Sequence, residues 1–364
     1  MTRPDILDRK DRAIINAFQG GFPVVDSPFE PAASALTEAG VSLDAAELLD
    51  RIQRLDDQGV LSRFGPLINA DEIGGKTTLV AMSVPESRFE DVASTVNEFP
   101  EVAHNYERSH ELNMWFVLSV PDPNRIESVL AAIERKTGLE TFNLPKYEEF
   151  RLEARFPIEG PLEGGIDLST LGPEVTPDGS EGLTPPETDL VVEIQDGLPL
   201  TEKPYETLAN RLDLTTEQVL RTTERLRVEN KIRRIGVIPN HYALGYTENA
   251  MTVWNVDDSD VSTVGKQISG YPFVTHCYER PRHEQIWPYN LFAMVHGVTE
   301  RECQERIDQV RETVSAHTEI SDADWETLYS TRILKKTGIR IGDRAGRTDT
   351  NAERAHPTER GETG

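Results

Sequence analysis

Two short motifs that combine histidine, tyrosine and arginine occur in the two halves of this 364-residue chain. They are HNYER at 104–108 and HCYER at 276–280. The ordinary pKa of histidine lies near neutral pH, so this side chain can donate or accept a proton under physiological conditions. The arginine guanidinium binds a carboxylate through two parallel hydrogen bonds. Together these residue types favour proton transfer beside a bound anion.

The motifs belong to an internal repeat that spans most of the chain. Three further segments match in the same order, and the offset between the copies stays between 171 (63 to 234) and 177 (113 to 290). These segments are GFPV at 21–24 with GLPL at 197–200, RFGPLI at 63–68 with RIGVI at 234–238, and NMWF at 113–116 with NLF at 290–292. Agreement at four places in register indicates a tandem duplication.

Each copy has a helical front and a β-rich back. In the first copy, apolar residues recur at helical spacing over 8–18 and 44–58, and a strand-like run follows Gly59. This order predicts a winged helix-turn-helix module with a short hairpin as its wing. The back alternates as β-α-β-β-α-β and closes with a strand over 147–156, which is the ferredoxin-like plan. The sequence therefore predicts an α+β fold, in which two ferredoxin-like sheets pair face to face as an internal pseudo-dimer.

Two polar stretches lie outside the two copies. One is rich in Pro and Gly and lies between the copies, and the other is rich in charged residues and follows the second copy. The first is expected to be a flexible acidic linker and the second a disordered tail. The predicted boundaries are 1–75 and 188–247 for the winged helix-turn-helix modules, 76–156 and 248–339 for the ferredoxin-like domains, 157–187 for the linker and 340–364 for the tail.

Composition limits the partners that the chain can bind. The formal net charge is −25, whereas DNA affinity depends on Lys and Arg that release counterions, so a DNA partner is not expected. The helix over 44–58, which would enter the major groove, carries five acidic residues and two arginines. Two cysteines, Cys277 and Cys303, and the lack of a long apolar run predict a cytoplasmic protein without a disulfide framework, a zinc site or a membrane segment.

A winged helix-turn-helix module followed by a ferredoxin-like domain resembles the leucine-responsive (Lrp/AsnC) transcription regulators. The extended motifs are more similar to the siroheme decarboxylases, which share this architecture. The run HNYERSHELNMWF at 104–116 resembles one subunit of those heterodimers. The other subunit is matched by HCYERPRH at 276–283, WPYNLF at 287–292 and MVHG at 294–297. The resemblance covers most of both halves and implies that one polypeptide carries both subunits.

This resemblance implies a substrate, siroheme, which is an iron tetrapyrrole with eight carboxylates. Two of its acetate groups would lose carbon dioxide, giving 12,18-didecarboxysiroheme in an alternative route of heme biosynthesis. The conjugated ring can act as the electron sink, so no cofactor beyond the substrate iron is expected. Each exocyclic carbon then needs a proton from a general acid. The arginines should hold the carboxylates that stay, because a clamp on a departing one would stabilise the ground state.

The resemblance and the repeat together nominate the site residues. His104 and His276 are candidate axial ligands to the substrate iron or proton donors, and a strand histidine bonded to a carbonyl is the alternative. The further candidate proton donors are His110, His283, Tyr106 and Tyr278. The candidate substrate-binding residues are Arg63, Arg108, Arg234, Arg280, Arg282, Asn113, Asn290, Trp115, Trp287 and Tyr289. Surface ion pairs for the arginines and core packing for the aromatic residues are the alternatives.

Several alternatives stay open at this point. His241 could reach the site, and His296 is interpreted as structural. The pocket of His276 and Arg280 is favoured over its counterpart in the first copy. The alternative functions are a tetrapyrrole-sensing regulator and an amino-acid-responsive transcription regulator of the Lrp/AsnC type. Association of two chains into a further homo-oligomer is also open.

Overall fold

The computed structural model describes residues 6–168, 171–177 and 179–337, and its helices and strands confirm the predicted α+β class. The predicted tail, 340–364, lies outside the described residues. The helices are α1 (Arg9–Phe18), α2 (Phe29–Glu38), α3 (Ala45–Asp57), α4 (Phe89–Asn97), α5 (Arg125–Thr137), α6 (Pro185–Ile194), α7 (Pro204–Leu212), α8 (Thr216–Val228), α9 (Val261–Ile268) and α10 (Glu300–Ser315). The strands are β1 (Leu61–Ile68), β2 (Lys76–Met82), β3 (Val102–Arg108), β4 (Met114–Val120), β5 (Phe142–Pro145), β6 (Glu148–Leu152), β7 (Ile232–Pro239), β8 (Glu248–Trp254), β9 (Val274–Glu279), β10 (Leu291–Gly297) and β11 (Trp325–Lys336).

The helical modules consist of α1 to α3 and α6 to α8. A capping box starts α1, because the side chains of Asp8 and Asp11 each accept a hydrogen bond from the other's backbone N–H. The sequence pattern does not predict α2, whose first turn contains Pro31. A proline is tolerated in the first turn of a helix, where its missing N–H would have no helical partner.

The strand that follows each helical module pairs with its counterpart in the other copy. The prediction of a local hairpin as the wing is therefore wrong. β1 and β7 form a separate two-stranded antiparallel ribbon, in which Gly65 lies opposite Gly236. These two glycines are equivalent in the repeat, so the ribbon is centred on a pseudo-two-fold axis that relates the two copies.

Both central glycines of the ribbon are required by close backbone contacts. A Cβ atom on Gly236 would lie 2.3 Å from the carbonyl oxygen of Phe18. A Cβ atom on Gly65 would lie 2.7 Å from the Cα atom of Gly197. Each strand of the ribbon thus packs against the helical module of the other copy, and this explains the glycines in the repeated sequence.

The ferredoxin-like domains share one nine-stranded sheet with the order β5-β2-β4-β3-β11-β8-β10-β9-β6. Within each copy the strands follow the ferredoxin-like order, and the last strand also crosses to the other copy. β11 pairs with β8 over Trp325–Tyr329 and then with β3 over Ser330–Lys336. In the first copy, the predicted closing strand over 147–156 is corrected to β5, which pairs with β2, and β6, which pairs with β9. This exchange of strands links the two halves.

The inner faces of the two halves of this sheet, one from each ferredoxin-like domain, meet in an aromatic core, as predicted for an internal pseudo-dimer. Trp115 and Trp287 lie at the centre with ring centroids 5.0 Å apart, and Phe292, Leu328 and Met251 surround them. The outer faces are covered by α4 and α5 in the first copy and by α9 and α10 in the second. In this arrangement His104 on β3 and His276 on β9 are close enough to interact electrostatically.

The segment 157–187, which the sequence predicts as a flexible linker, is packed against the helical modules over part of its length. Ile158 and Leu168 are buried in their shared core. Side-chain amides of α1 and the residue after it, Asn16 and Gln19, bond the backbone at Ile158 and Phe156. The linker therefore contributes to the core, and its last residues already belong to α6. Among the described residues, no helix is long and apolar enough to cross a membrane.

Candidate active site

The repeated motifs lie on β3 and β9, where alternate residues share one face of the strand. His276 and Tyr278 are partly accessible to solvent and Arg280 is buried, while the intervening Cys277 points to the opposite side and contacts the carbonyl oxygen of Gly265 in α9. The same alternation holds on β3. Histidine, tyrosine and arginine therefore line the inner face of each strand, away from the helices.

The two arginines make equivalent contacts in the two copies. Arg108 donates to the carbonyl oxygen of Leu328 at 2.8 Å, and Arg280 donates to that of Leu144 at 2.5 Å. Burial lowers the pKa of each guanidinium to about 10. Neither arginine has a carboxylate partner among the described residues, and each has a buried Nε–H without an acceptor there. These donors suit a bound carboxylate, which would satisfy a buried positive charge.

His104 lies in a buried and positively charged environment. Burial lowers its pKa to about 4, and the nearby charges of Lys336, His276 and Arg63 add to this effect. Its Nδ1 atom is buried and has no hydrogen-bond partner in the described part of the chain. At neutral pH the imidazole is therefore uncharged, and added negative charge nearby would raise its pKa.

His276 has a similar pKa and a different hydrogen-bond environment. Burial lowers its pKa to about 4, an effect that the carboxylate of Glu149 partly offsets. Its Nδ1 atom lies 2.7 Å from the hydroxyl oxygen of Thr275, which lies 2.8 Å from Nε2 of His296. The two motif histidines are thus equivalent in sequence and distinct in their contacts.

His241 completes the site and comes from the turn after β7. Its ring stacks on Phe156, with centroids 4.9 Å apart, and lies 5.6 Å from the ring of His296. Burial lowers its pKa to about 3, and Lys336 and His276 contribute. His296, which the sequence analysis interprets as structural, contacts His241 and is linked through Thr275 to His276. We call His104, His241, His276 and His296 the histidine cluster.

Charge distribution differs between the two sides of the histidine cluster. Beside β9, the carboxylates of Asp71 and Glu149 lie 2.7 and 2.6 Å from Lys146, and Glu149 also binds Arg233 at 2.8 Å. Beside β3, Lys336 lies opposite His104 in the strand register and forms no ion pair with any described residue. Lys146 and Arg233 are therefore paired with carboxylates beside β9, whereas Lys336 beside β3 has no such partner among the described residues.

Comparison with known proteins identifies the family. A curated relative, the siroheme decarboxylase NirDL subunit of Paracoccus denitrificans, is 31% identical over 93% of this chain and 98% of its own length. The chain belongs to the siroheme decarboxylase family. The predicted resemblance is thus confirmed. Family models also match, described as an AsnC-like ligand binding domain over 72–151 and 243–335 and a siroheme decarboxylase NirDL-like HTH domain over 11–61 and 187–233.

Two further relatives of the siroheme decarboxylase family bear on the architecture. The siroheme decarboxylase NirH subunit of Paracoccus pantotrophus is 47% identical over 44% of this chain and 98% of its own length. A separate subunit in that organism therefore corresponds to about one copy of the repeat. This chain also matches the crystal structure of siroheme decarboxylase NirDL in complex with an iron-uroporphyrin III analogue. The match covers 91% of this chain and 94% of that chain, with a TM-score of 0.65 and 29% identity.

Two arginines predicted for the site, Arg63 and Arg234, lie on the ribbon strands β1 and β7. Arg63 donates to the carbonyl oxygen of Gln195 at 2.8 Å, and its charge lowers the pKa of His104. Arg234 donates to the carbonyl oxygen of Ala154 at 2.9 Å, and its Nε–H is buried without an acceptor in the described chain. Tyr106 and Tyr278 line the same face as the motif histidines. Burial raises the pKa of Tyr106 to about 12, so its hydroxyl stays protonated.

The two predicted asparagines have structural contacts instead. Asn113 accepts from the backbone N–H of Val84 at 2.9 Å and donates to its carbonyl oxygen at 2.8 Å. Asn290 makes the same pair of bonds with Val256, at 2.9 and 3.0 Å. Each amide therefore fixes the segment after the first strand of its domain, and this explains why both positions recur in the repeat.

The predicted histidines in the turns lie away from the histidine cluster. His110 accepts a hydrogen bond from Leu112 and lies 3.3 Å from the Glu326 carboxylate. Nε2 of His283 lies 2.8 Å from the carbonyl oxygen of Asn143, and Arg282 pairs with Asp258 at 2.6 Å. The cavity of about 410 Å³ beside His283 is lined by four glutamates, which would repel a polyanion. Its acidic residues are Glu127, Glu134, Glu140 and Glu284.

The predicted aromatic residues belong to the core between the sheets. Trp115 and Trp287 are fully buried there, and Tyr289 packs against Trp287 with centroids 4.9 Å apart. Trp115 donates its indole N–H to the carbonyl oxygen of Leu112. These contacts correct their assignment to a substrate-stacking surface, because a buried ring in a closed core cannot meet the face of a macrocycle. The described residues also contain no group of three or more His, Cys, Asp or Glu side chains that could hold a metal.

Proposed function

We propose that this protein is a carboxy-lyase that removes two acetate carboxyl groups from siroheme and forms 12,18-didecarboxysiroheme. The observation that carries the proposal is the uncompensated positive charge beside His104, within a chain whose net charge is −25. Such a local basic site in an acidic protein suits a polyanionic ligand. Two similarities support an iron tetrapyrrole as the substrate. The chain is similar over nearly its full length to the siroheme decarboxylase NirDL subunit, and it matches a NirDL structure that holds an iron-uroporphyrin analogue.

In this proposal, the basic residues hold the carboxylates that remain on the product. Arg108 and Lys336 lie on the β3 side of the histidine cluster and form no ion pair with a described carboxylate, and Arg63 adds positive charge near His104. The departing carboxylate loses its charge in the transition state, so it should not contact an arginine. We infer from this charge balance that the carboxylates are held mainly on the β3 side, and not on the side of His276 and Arg280 that the sequence favoured, because Asp71 and Glu149 already pair with Lys146 and Arg233 there.

Proton supply follows from the environment of His104. Each decarboxylation breaks a carbon–carbon bond, releases carbon dioxide and leaves an electron pair that the macrocycle delocalises. One proton must then be added to the exocyclic carbon, which becomes a methyl group. His104 is uncharged in the free protein, and the carboxylates of the bound substrate would raise its pKa toward the working pH. Substrate binding thus prepares the acid that the reaction needs.

The regulator alternative is less consistent with the structure. The helix that would enter the DNA major groove, α3, has two arginines, and both are engaged by carboxylates. Arg51 bonds Asp8, Asp11 and Glu47, and Arg54 bonds Asp11 at 2.6 Å. A phosphate would have to replace these ion pairs within an acidic surface. We therefore infer that the helical modules act as supports for the site.

The test is anaerobic incubation of the purified protein with siroheme and no added cofactor, followed by mass spectrometry. Loss of two carbon dioxide molecules per macrocycle is expected. The His104→Ala variant should lose most turnover, whereas the exposed His317→Ala variant should retain it. Unchanged siroheme mass with the parent protein would reject the enzymatic function, and normal turnover of His104→Ala would reject its role as proton donor.

A further inference from the structure

A chain of buried polar side chains runs behind His276. The Thr275 hydroxyl oxygen lies 2.7 Å from Nδ1 of His276 and 2.8 Å from Nε2 of His296. Nδ1 of His296 lies 2.5 Å from Oδ1 of Asn249. Thr275, His296 and Asn249 are 1%, 6% and 7% exposed, so these contacts are shielded from water. We call these three residues the Thr275 relay.

The contacts of Asn249, the residue of the relay farthest from His276, determine the direction of each hydrogen bond. The amide nitrogen of Asn249 donates to the carbonyl oxygen of Thr247 at 3.2 Å, so the amide oxygen faces His296 and accepts. His296 must therefore carry its proton on Nδ1, which leaves Nε2 as the acceptor for the Thr275 hydroxyl. The oxygen of Thr275 is then free to accept from His276. His276 accordingly carries its proton on Nδ1 and a lone pair on Nε2.

We propose that the Thr275 relay fixes the tautomer of His276, so that its unprotonated Nε2 binds the iron of the substrate. The inference rests on the proposed function and assigns Thr275, His296 and Asn249 as positioning residues. His276 is partly accessible, and its one hydrogen bond to a described side chain uses Nδ1, which leaves Nε2 for a ligand. A second hydrogen bond through the other ring nitrogen is the usual way in which proteins orient a metal-binding histidine.

The first copy lacks this arrangement. Its residue before the motif histidine is Ala103, and the position equivalent to His296 is Ser119, by the offset of 177 that relates Asn113 to Asn290. Nδ1 of His104 is correspondingly buried without a partner among the described residues. No hydrogen bond from a described residue to Nδ1 therefore holds His104 in one tautomer. The duplication has thus produced two different histidines, one fixed for iron binding and one available for proton transfer.

The first experiment compares variants by titration with siroheme, followed by visible absorption and electron paramagnetic resonance. Thr275→Val keeps the shape of the side chain and removes the hydroxyl. It should weaken siroheme binding about ten-fold or more and change the iron ligand signature, as loss of an outer-shell partner does at other metal sites. Thr275→Ser should restore both, and the control variant Ser119→Ala should match the parent protein.

The possible outcomes distinguish a failure of the relay assignment from a failure of the proposed function. If the parent protein decarboxylates siroheme and Thr275→Val retains the parental affinity and spectra, the relay assignment is wrong and the enzymatic function stands. If His276→Ala retains the iron ligand signature, the assignment is wrong as well. Failure of the parent protein to bind or decarboxylate siroheme would overturn the proposed function itself.

A second measurement needs no substituted relay residue and therefore does not depend on the folding of Thr275→Val. Nitrogen chemical shifts of ¹⁵N-histidine-labelled protein distinguish a protonated from an unprotonated ring nitrogen. His276, assigned by comparison with His276→Gln, should show a protonated Nδ1 and an unprotonated Nε2 in the substrate-free protein at pH 7. The opposite pattern would overturn the proposed tautomer.

Discussion

Lowering the pH from 7 to 5 should destabilise the protein through its histidine cluster. Burial and neighbouring positive charge lower the pKa of His104 and His276 to about 4 and that of His241 to about 3. In the unfolded chain these residues return to the ordinary histidine value near 6.5. Between these pH values the unfolded state binds more protons than the folded state, so stability falls as the pH falls.

The size of the effect follows from the difference between the two pKa values. For a group that titrates near 6.5 when unfolded and at 3 to 4 when folded, moving from pH 7 to pH 5 costs about 2 kcal/mol. Three such histidines would cost about 6 kcal/mol if their contributions add, which is comparable with the total stability of a typical domain. Acidification to pH 5 is therefore expected to unfold a substantial part of the protein.

The assay is urea unfolding followed by circular dichroism at pH 7 and at pH 5. His241→Gln should lose about 2 kcal/mol less than the parent protein between the two pH values, because one buried histidine no longer resists protonation. The exposed His317→Gln should lose as much as the parent protein. Carboxylates also titrate in this range, and the comparison between variants cancels their contribution. Equal pH dependence of His241→Gln and the parent protein would refute the electrostatic account of the cluster.

Three further predictions test the ribbon and the charges. Gly236→Ala, whose Cβ would meet the Phe18 carbonyl oxygen at 2.3 Å, should lower the unfolding free energy by about 1–3 kcal/mol, whereas Gly21→Ala, with open space around it, should not. Lys336→Glu should weaken siroheme binding at least ten-fold in an absorbance titration, and exposed Lys266→Glu is the control. Unchanged affinity of Lys336→Glu would contradict binding of the substrate carboxylates on the β3 side. The saturating stoichiometry of that titration should be one macrocycle per chain, and two would show that both sides bind.

The elements of the fold that depend on local sequence could be predicted, and the pairings between copies could not. Apolar spacing located α1, α3 and most of the ferredoxin-like strands, because helix and strand periodicities are local properties. The wing strand after Gly59 has the same local signature whether it forms a hairpin or pairs with a distant copy. Likewise, nothing in 147–156 shows that β6 leaves its own sheet for β9. Such pairings are set by the pseudo-two-fold arrangement.

The repeat was a useful guide to the site and also its main source of error. It located His104 and His276, which lie in the histidine cluster. It also favoured Asn113 and Asn290, whose equivalence reflects a shared backbone contact. His241 lies outside the repeated motifs, and the equivalent position in the first copy is Ala70. A repeat identifies what the two copies share, whereas the site depends on residues in which they differ.

Fusion of the two copies into one chain allows this difference. A homodimer of a single copy would present identical residues around both motif histidines, so a lysine placed beside one would also lie beside the other. In this chain, Lys336 lies opposite His104, whereas Leu152 lies opposite His276. The symmetric backbone holds Arg108 and Arg280 in equivalent positions, while the surrounding charges diverge. In the proposed reaction, one macrocycle then meets His276 as its iron ligand and His104 as its proton donor, at equivalent positions in the two copies.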